Sequence, residues 1–240
     1  GYMRLLFHLP YRQTEGLLKA LRRFDPRVQV PDYSTIDRRV NRLDTKLDEK
    51  DYGGDIVLAV DASGIKVSNR GEWIRHKWKI RRGYLKIHLA VDLKQKKILA
   101  LKVTDEKTGD GGMLKPLVEE ASRKRKIAKT IGDGAYDTKS NFRYLDAKGI
   151  EPAIKVRKNT STRANGCMPR KLAAQEYLRD PEAWKHNHDY GQRWMAETVF
   201  SSYKRTFGEY VSSRSMRSMA NELMLKASLY NILIGLTTTP

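Results

Sequence analysis

The stretch Ile56-Val57-Leu58-Ala59-Val60-Asp61-Ala62-Ser63-Gly64 decides the fold. Its first five residues are an unbroken apolar run rich in β-branched side chains, the pattern of a central strand covered on both faces. Asp61 ends the run, and Ile65-Lys66-Val67 follows after small residues. A strand buried on both sides needs helices above and below it.

The flanking sequence supplies them. A second extended stretch alternates Leu85, Ile87 and Leu89 with Tyr84, Lys86 and His88 and ends at Val91; a third covers Ile98 to Val103. Gly109 to Gly112 turn into a helix from Met113 to about Lys124, apolar at Leu114, Leu117, Val118 and Ala121. Thr130-Ile131-Gly132 forms a fourth strand ending at Asp133, and a helix from about Lys139 to Lys148 leads to a fifth at Pro152–Val156. Three strands, helix, strand, helix, strand predicts an α/β fold: a ribonuclease H-like mixed sheet flanked by helices. Residues 157–189 read as a polar, irregular insertion. A long helix from about Tyr190 to Phe207 follows, and another, apolar at Met216, Met219, Leu223, Ala227, Tyr230 and Ile234, closes against the core.

Residues 1–50 read as a small all-helical region, separate from a catalytic-size domain over 51–240. Leu5, Leu6, Phe7 and Leu9 open mid-pattern, as the end of a helix whose beginning is truncated. A helix from Tyr11 to Phe24 is broken by Pro26 and Pro31, and Ser34 is the expected N-cap of the next, with Ile36, Val40, Leu43 and Leu47 in register. Two readings stand side by side: a helix-turn-helix-like DNA-binding pair presenting Arg22, Arg23, Arg38, Arg39 and Arg42, or a helical pair that packs on the main domain.

The composition narrows the function. Among 240 residues, 47 Lys and Arg face 28 Asp and Glu, a net charge of +19. The excess runs along the whole chain, with 11 basic and 7 acidic residues in 1–50, 22 and 13 in 51–150, and 14 and 8 in 151–240. A surface basic throughout attracts a polyanion, and nucleic acid leads because phosphate neutralisation releases counterions. Hydrophobic residues at 40% suffice for a core and exclude wholesale disorder. One cysteine, Cys167, excludes a disulfide framework and suits a cytoplasmic, nucleoid-associated protein. No run approaches the roughly 20 apolar residues of a membrane span.

Three carboxylates stand where a metal site can be assembled: Asp61 on the first strand, Asp133 after the fourth, Glu197 in the long helix. First and fourth strands are neighbours in a ribonuclease H-like sheet, which brings the two Asp together. Hard divalent cations such as Mg²⁺ take oxygen ligands, and two such ions can activate a water or 3′-hydroxyl against a phosphodiester. The competing reading makes both Asp turn formers, since small residues follow each. On the helix, Tyr190, Arg193, Glu197 and Lys204 fall on one polar stripe at 3.6 residues per turn. They form either exposed charge pairs or a metal carboxylate between two phosphate-gripping cations.

These residues resemble the DDE transposases of prokaryotic insertion sequences, in the branch with the tyrosine–arginine–glutamate–lysine signature (IS4-like, IS5-type). The signature reads Tyr190-x₂-Arg193-x₃-Glu197-x₆-Lys204; Val60-Asp61-Ala62-Ser63-Gly64 is similar to the first-Asp motif and Gly132-Asp133-Gly134-Ala135-Tyr136-Asp137 to the second. Tyr11-Arg12-Gln13-Thr14-Glu15-Gly16 and Pro31-Asp32-Tyr33-Ser34-Thr35 resemble the N-terminal helical region of the same enzymes. The resemblance implies cleavage at element ends and strand transfer into target DNA. It also implies two Mg²⁺ ions replaceable by Mn²⁺, held by Asp61, Asp133 and Glu197, and a homodimer joining two terminal inverted repeats. Two other readings remain: a transposition-incompetent DNA-binding remnant, and a ribonuclease H-type nuclease.

A basic segment carries Arg70, Trp73, Arg75, Lys77, Trp78, Lys79, Arg81 and Arg82 with one acid, Glu72. It is read as a DNA-tracking element with stacking tryptophans, against a solvated hairpin. Asp137 rivals Asp133 but is placed second, at the start of the next helix. Asp110, in the Gly109–Gly112 turn, is expected near the site. His186 and His188 are read as surface histidines, and Cys167 as a loop residue without a catalytic part.

Overall fold

The computed structural model describes residues 1–43, 45, 47, 53–67, 84–157, 159–163 and 166–238. The chain divides into two compact units, one of Glu49–Ile65 with Gly71–Ser201, the other of Gly1–Asp48, Lys66–Arg70 and Ser202–Pro240.

The first unit holds the sheet: β1 (Ile56–Val67), β2 (Tyr84–Asp92), β3 (Lys97–Asp105), β4 (Ile127–Gly132) and β5 (Glu151–Ile154). They lie in the order β3-β2-β1-β4-β5. β2 and β3 pair antiparallel from Leu85↔Asp105 to Asp92↔Lys97. β4 runs parallel to β1 and β5 parallel to β4. The crossovers are α4 (Leu114–Ser122), between β3 and β4, and α5 (Lys139–Ala147), between β4 and β5. This is the mixed, ribonuclease H-like arrangement expected from the strand and helix order.

Burial explains why the apolar run seeds it. Ile56, Leu58 and Val60 pack with Leu117 and Val118 of α4 and Phe142 and Leu145 of α5. Val57 and Ala59 sit in a separate cluster with Ile131, Ala153, Ala196 and Tyr190. Alternate residues of one strand therefore feed two cores, each fully buried aliphatic side chain contributing about 1.5–3 kcal/mol.

Three details differ from the sequence expectation. β1 runs through Asp61 to Val67, so Asp61 lies within the strand; Ala62-Ser63-Gly64 continue the extended backbone instead of turning it. The supposedly irregular stretch 157–189 contains two helices, α6 (Met168–Arg179) and α7 (Pro181–Asn187). Helix α6 leaves Met168, Leu172 and Leu178 about half exposed, so no clean apolar stripe betrayed it. Helix α7 did carry a signal: Asp180 accepts from the Glu182 and Ala183 N–H groups at 3.0 Å, with Pro181 in the first turn. Finally, the long helix is split. Tyr190–Arg193 is a 3₁₀ turn entered from Asp189 at φ 51°, and α8 proper spans Trp194–Phe207.

The second unit contains α1 (Tyr2–Leu6), α2 (Tyr11–Arg22), α3 (Tyr33–Arg42), β6 (Tyr210–Val211) and α9 (Met216–Thr238). β6 pairs in parallel with Lys66 and Val67, the last residues of β1. Buried Tyr203 donates to the Leu223 carbonyl at 2.9 Å and stacks near Phe207 and Tyr230. The N-cap of α3 is Asp32, not Ser34: its carboxylate accepts from the Ser34 and Thr35 N–H groups. Residues 23–32 separate α2 from α3, longer than the 3–4-residue turn of a helix-turn-helix. Among the described residues no helix is long and apolar enough to cross a membrane.

Candidate active site

β1 and β4 run parallel, and the charge of Asp133, just past β4, acts on Asp61 of β1. Ala59 is level with Ile131 at the end of the ladder; Asp61 lies two residues further along β1, and Asp133 directly follows β4. Asp61 Oδ1 accepts from the Ala62 N–H at 2.9 Å, and Asp133 Oδ1 from the Ala135 N–H at 2.8 Å. Asp133 does open a turn, whereas Asp61 does not, because β1 stays extended through Gly64; each carboxylate spends one oxygen on backbone.

The other Asp61 oxygen meets Arg193, whose NH1 lies 3.5 Å from Oδ2; NH2 of the same guanidinium pairs with Glu197. Burial pushes the Asp61 carboxyl up; the Ala62 N–H and Arg193 oppose this, while the charges of Asp133 and Glu197 add to it. Asp133 and Glu197 thus both act electrostatically on Asp61, and like charges so placed favour a cation between them. Among the described residues no three His, Cys, Asp or Glu side chains are spaced as a ready chelate. Between Asp61 and Glu197 stands the Arg193 guanidinium. The donor set itself, oxygen only and mutually repulsive, fits a hard divalent cation. Lys204 follows on the same helix, half-buried, two turns beyond exposed Glu197.

A buttress stands behind the second Asp. Asn141 donates its side-chain amide to the carbonyls of Gly111 and Tyr136, both at 2.9 Å. It thereby clamps the Asp110–Met113 turn to the Gly134–Tyr136 turn. A side chain at Gly111 would meet the Ala135 carbonyl oxygen at 2.9 Å, so only glycine fits this approach. Asp110 is indeed beside the site. It takes Lys86 Nζ at 2.7 Å, and with Asp61 and Asp133 it adds to the burial that drives the Tyr136 phenol far up. The Tyr136 hydroxyl is buried without a partner among the described residues.

Asp137 is occupied elsewhere. Its side chain is fully buried and takes Arg170 Nε at 2.6 Å and NH2 at 2.9 Å, plus the Arg157 N–H at 3.0 Å. Burial alone would raise its carboxyl, but Arg170 and the Arg157 N–H hold it below the ordinary value. It staples the segment after β5 to the second-Asp turn.

Tyr190 does not stand free. Its ring is 5.1 Å from that of buried Trp184, and burial raises its phenol to about 12. His188, read as a surface histidine, bridges Glu151 at 2.7 Å and Glu176 at 3.0 Å, while Lys129 Nζ holds Asp189 at 3.1 Å. Helices α6 and α7 therefore anchor the turn that delivers Arg193. His186 is exposed as expected, and Cys167 is buried with its thiol directed to the Lys139 carbonyl. Trp194, 57% exposed beside Arg193, was missed; a tryptophan next to the signature arginine was its only signal. Trp73, Arg75, Lys77, Trp78, Lys79, Arg81 and Arg82 lie outside the described residues.

A family model described as "Transposase DDE domain" matches residues 52–232, and a second of the same description matches residues 1–70. Among solved structures the chain is similar to the HTLV-2 integrase catalytic core domain in complex with magnesium, at 13% identity. That match has a TM-score of 0.32 and covers 60% of this chain and 86% of that one. It is also similar to the Mos1 strand transfer complex, at 8% identity and a TM-score of 0.36, covering 93% and 77%. The first family model spans about three quarters of the sequence, over the strands and helices that carry all three carboxylates: the chain belongs to the DDE transposase family.

Proposed function

We propose that this DNA transposase cuts at the ends of an insertion sequence and joins the freed 3′-hydroxyl to target DNA, as a member of the tyrosine–arginine–glutamate–lysine branch. The observation that carries the reading is Arg193, which bridges Asp61 and Glu197, while the charge of Asp133 also acts on Asp61. Asp61, Asp133 and Glu197 would hold two Mg²⁺ ions, or Mn²⁺ in their place. Bound there, the ions supply charge neutralisation and an activated oxygen nucleophile.

The remaining work falls to the chain. Arg193 is a planar double donor, suited to trade its carboxylate partners for phosphate oxygens. Lys204 adds a point charge further along α8. The basic segment around Trp73–Arg82 tracks the backbone, and exposed Trp194 offers an aromatic face for a base. Tyr190, packed on Trp184, fits a positioning role for Arg193. Two element ends require two active sites, which motivates a homodimer acting at the nucleoid.

The test offers the chain, with Mg²⁺, a duplex ending in the repeats that flank its own reading frame, a target plasmid, and an RNA–DNA hybrid. Cleavage at the repeat followed by joined products is expected. Cutting of the hybrid without joining would replace this reading by a ribonuclease H-type nuclease, and binding without cutting by an inactive remnant.

A further inference from the structure

A cavity of about 730 Å³ opens within the unit formed by α1–α3, β6 and α9. It lies inside the roughly 300–1,000 Å³ range of small-ligand pockets. Its lining includes three almost completely buried charged residues: Arg4 at 8% exposure, and Glu222 and Lys226 at 3% each. Glu222 and Lys226 satisfy one another. Lys226 Nζ lies 3.2 Å from Glu222 and donates to the Tyr210 carbonyl at 2.7 Å. Glu222 also accepts from the Ser212 and Ser213 N–H groups and from Ser213 Oγ at 2.7 Å.

Arg4 is left over. Its NH2 donates to Ser212 Oγ at 2.6 Å and its guanidinium lies 4.4 Å from the Tyr11 ring centroid. Its Nε is buried with no partner among the described residues. Arg4, Lys226 and exposed Arg214 face Glu222 and Asp37, so the lining carries one Lys or Arg more than it carries acids. Asp37, the other acid of the lining, is taken up by Asn41 at 3.0 Å and by the Tyr11 phenol. A buried cation with an unmet donor is costly unless an anion completes it. Tyr33, 40% exposed with the Arg12 guanidinium 4.6 Å from its centroid, adds an aromatic platform at the opening.

An unmet cation beside aromatic faces is the chemistry that takes a phosphate and a base together. We propose that this cavity holds one nucleotide of a DNA strand, its phosphate on Arg4 and Arg214 and its base on Tyr33. A duplex cannot enter a space of this size, whereas one unpaired nucleotide can. The choice of a nucleotide rests on the transposase reading, but the cavity contains none of the three carboxylates.

The test is photocrosslinking of the full chain, without metal, to a single-stranded oligonucleotide carrying 5-iododeoxyuridine, with adducts mapped by mass spectrometry. The expected result is an adduct on the Tyr33 or Tyr11 peptide, reduced at least fivefold in Arg214→Gln, a rim variant that leaves the buried network intact. Asp61→Asn should keep the adduct, so failure here and failure of catalysis are separate outcomes. Adducts confined to other peptides, or unchanged by Arg214→Gln, would overturn the proposal. So would a site that binds free thymidine monophosphate yet gives no oligonucleotide adduct.

Discussion

At the residue scale, the site turns on which cation faces Asp61 and Glu197. In this structure it is the Arg193 guanidinium, which spans both side chains. A divalent ion bound there must compete with it, and the displaced guanidinium becomes free for phosphate. Arg193→Gln should therefore bind Mn²⁺ several-fold more tightly than the wild type in calorimetry without DNA, while its cleavage rate falls at least tenfold. Weaker Mn²⁺ binding would show that Arg193 organises the carboxylates instead of competing for them. Asp137 makes the opposite case, a motif carboxylate absorbed by structure. Arg170→Ala strands it in the interior and should cost about 3–5 kcal/mol in chemical denaturation, whereas the paired change Asp137→Leu/Arg170→Met should cost less. An equal cost for both would mean that the pair is not the staple.

At the element scale, the sheet was legible because burial writes itself as pattern. Ile56–Val60 is apolar at every position since its two faces enter different cores, and the five-strand order follows from it. Helices α6 and α7 were not legible in the same way. The first exposes apolar residues around its surface, and the second is only seven residues long. Their purpose shows only in three dimensions, where Trp184 packs on Tyr190 and His188 joins Glu151 to Glu176. The carboxylates could be named from the sequence, but the Arg193 bridge and the Arg170 staple depend on side chains far apart in the chain. The His188 latch makes a pH prediction. Burial alone would lower its pKa, but the hydrogen bonds it donates to Glu176 and Glu151 raise it, with Lys129 the nearby cation on Glu151. A raised folded value gives stability that is complete below the unfolded pKa of about 6.5 and lost as pH climbs through the folded value. The Tm difference between wild type and His188→Gln should thus be largest near pH 5.5 and shrink toward pH 9. A difference independent of pH would remove the latch.

At the scale of the whole molecule, the charge of +19 is distributed over the length of the chain. Binding to non-specific duplex should therefore weaken about 10³-fold or more between 50 and 200 mM salt, the response of six or more phosphate contacts. A shallow salt dependence would contradict a surface built for a polyanion. Charge alone cannot separate a DNA-cutting enzyme from a DNA-coating protein; the family match over residues 52–232 does, and the carboxylates proposed to carry the cutting are Asp61, Asp133 and Glu197. The most direct measurement compares wild type with Asp61→Asn for Mg²⁺-dependent cleavage of a terminal-repeat duplex, with binding measured in parallel. Cleavage should fall by at least 10³-fold while the Kd for DNA stays within about twofold; cleavage retained in Asp61→Asn would contradict the account.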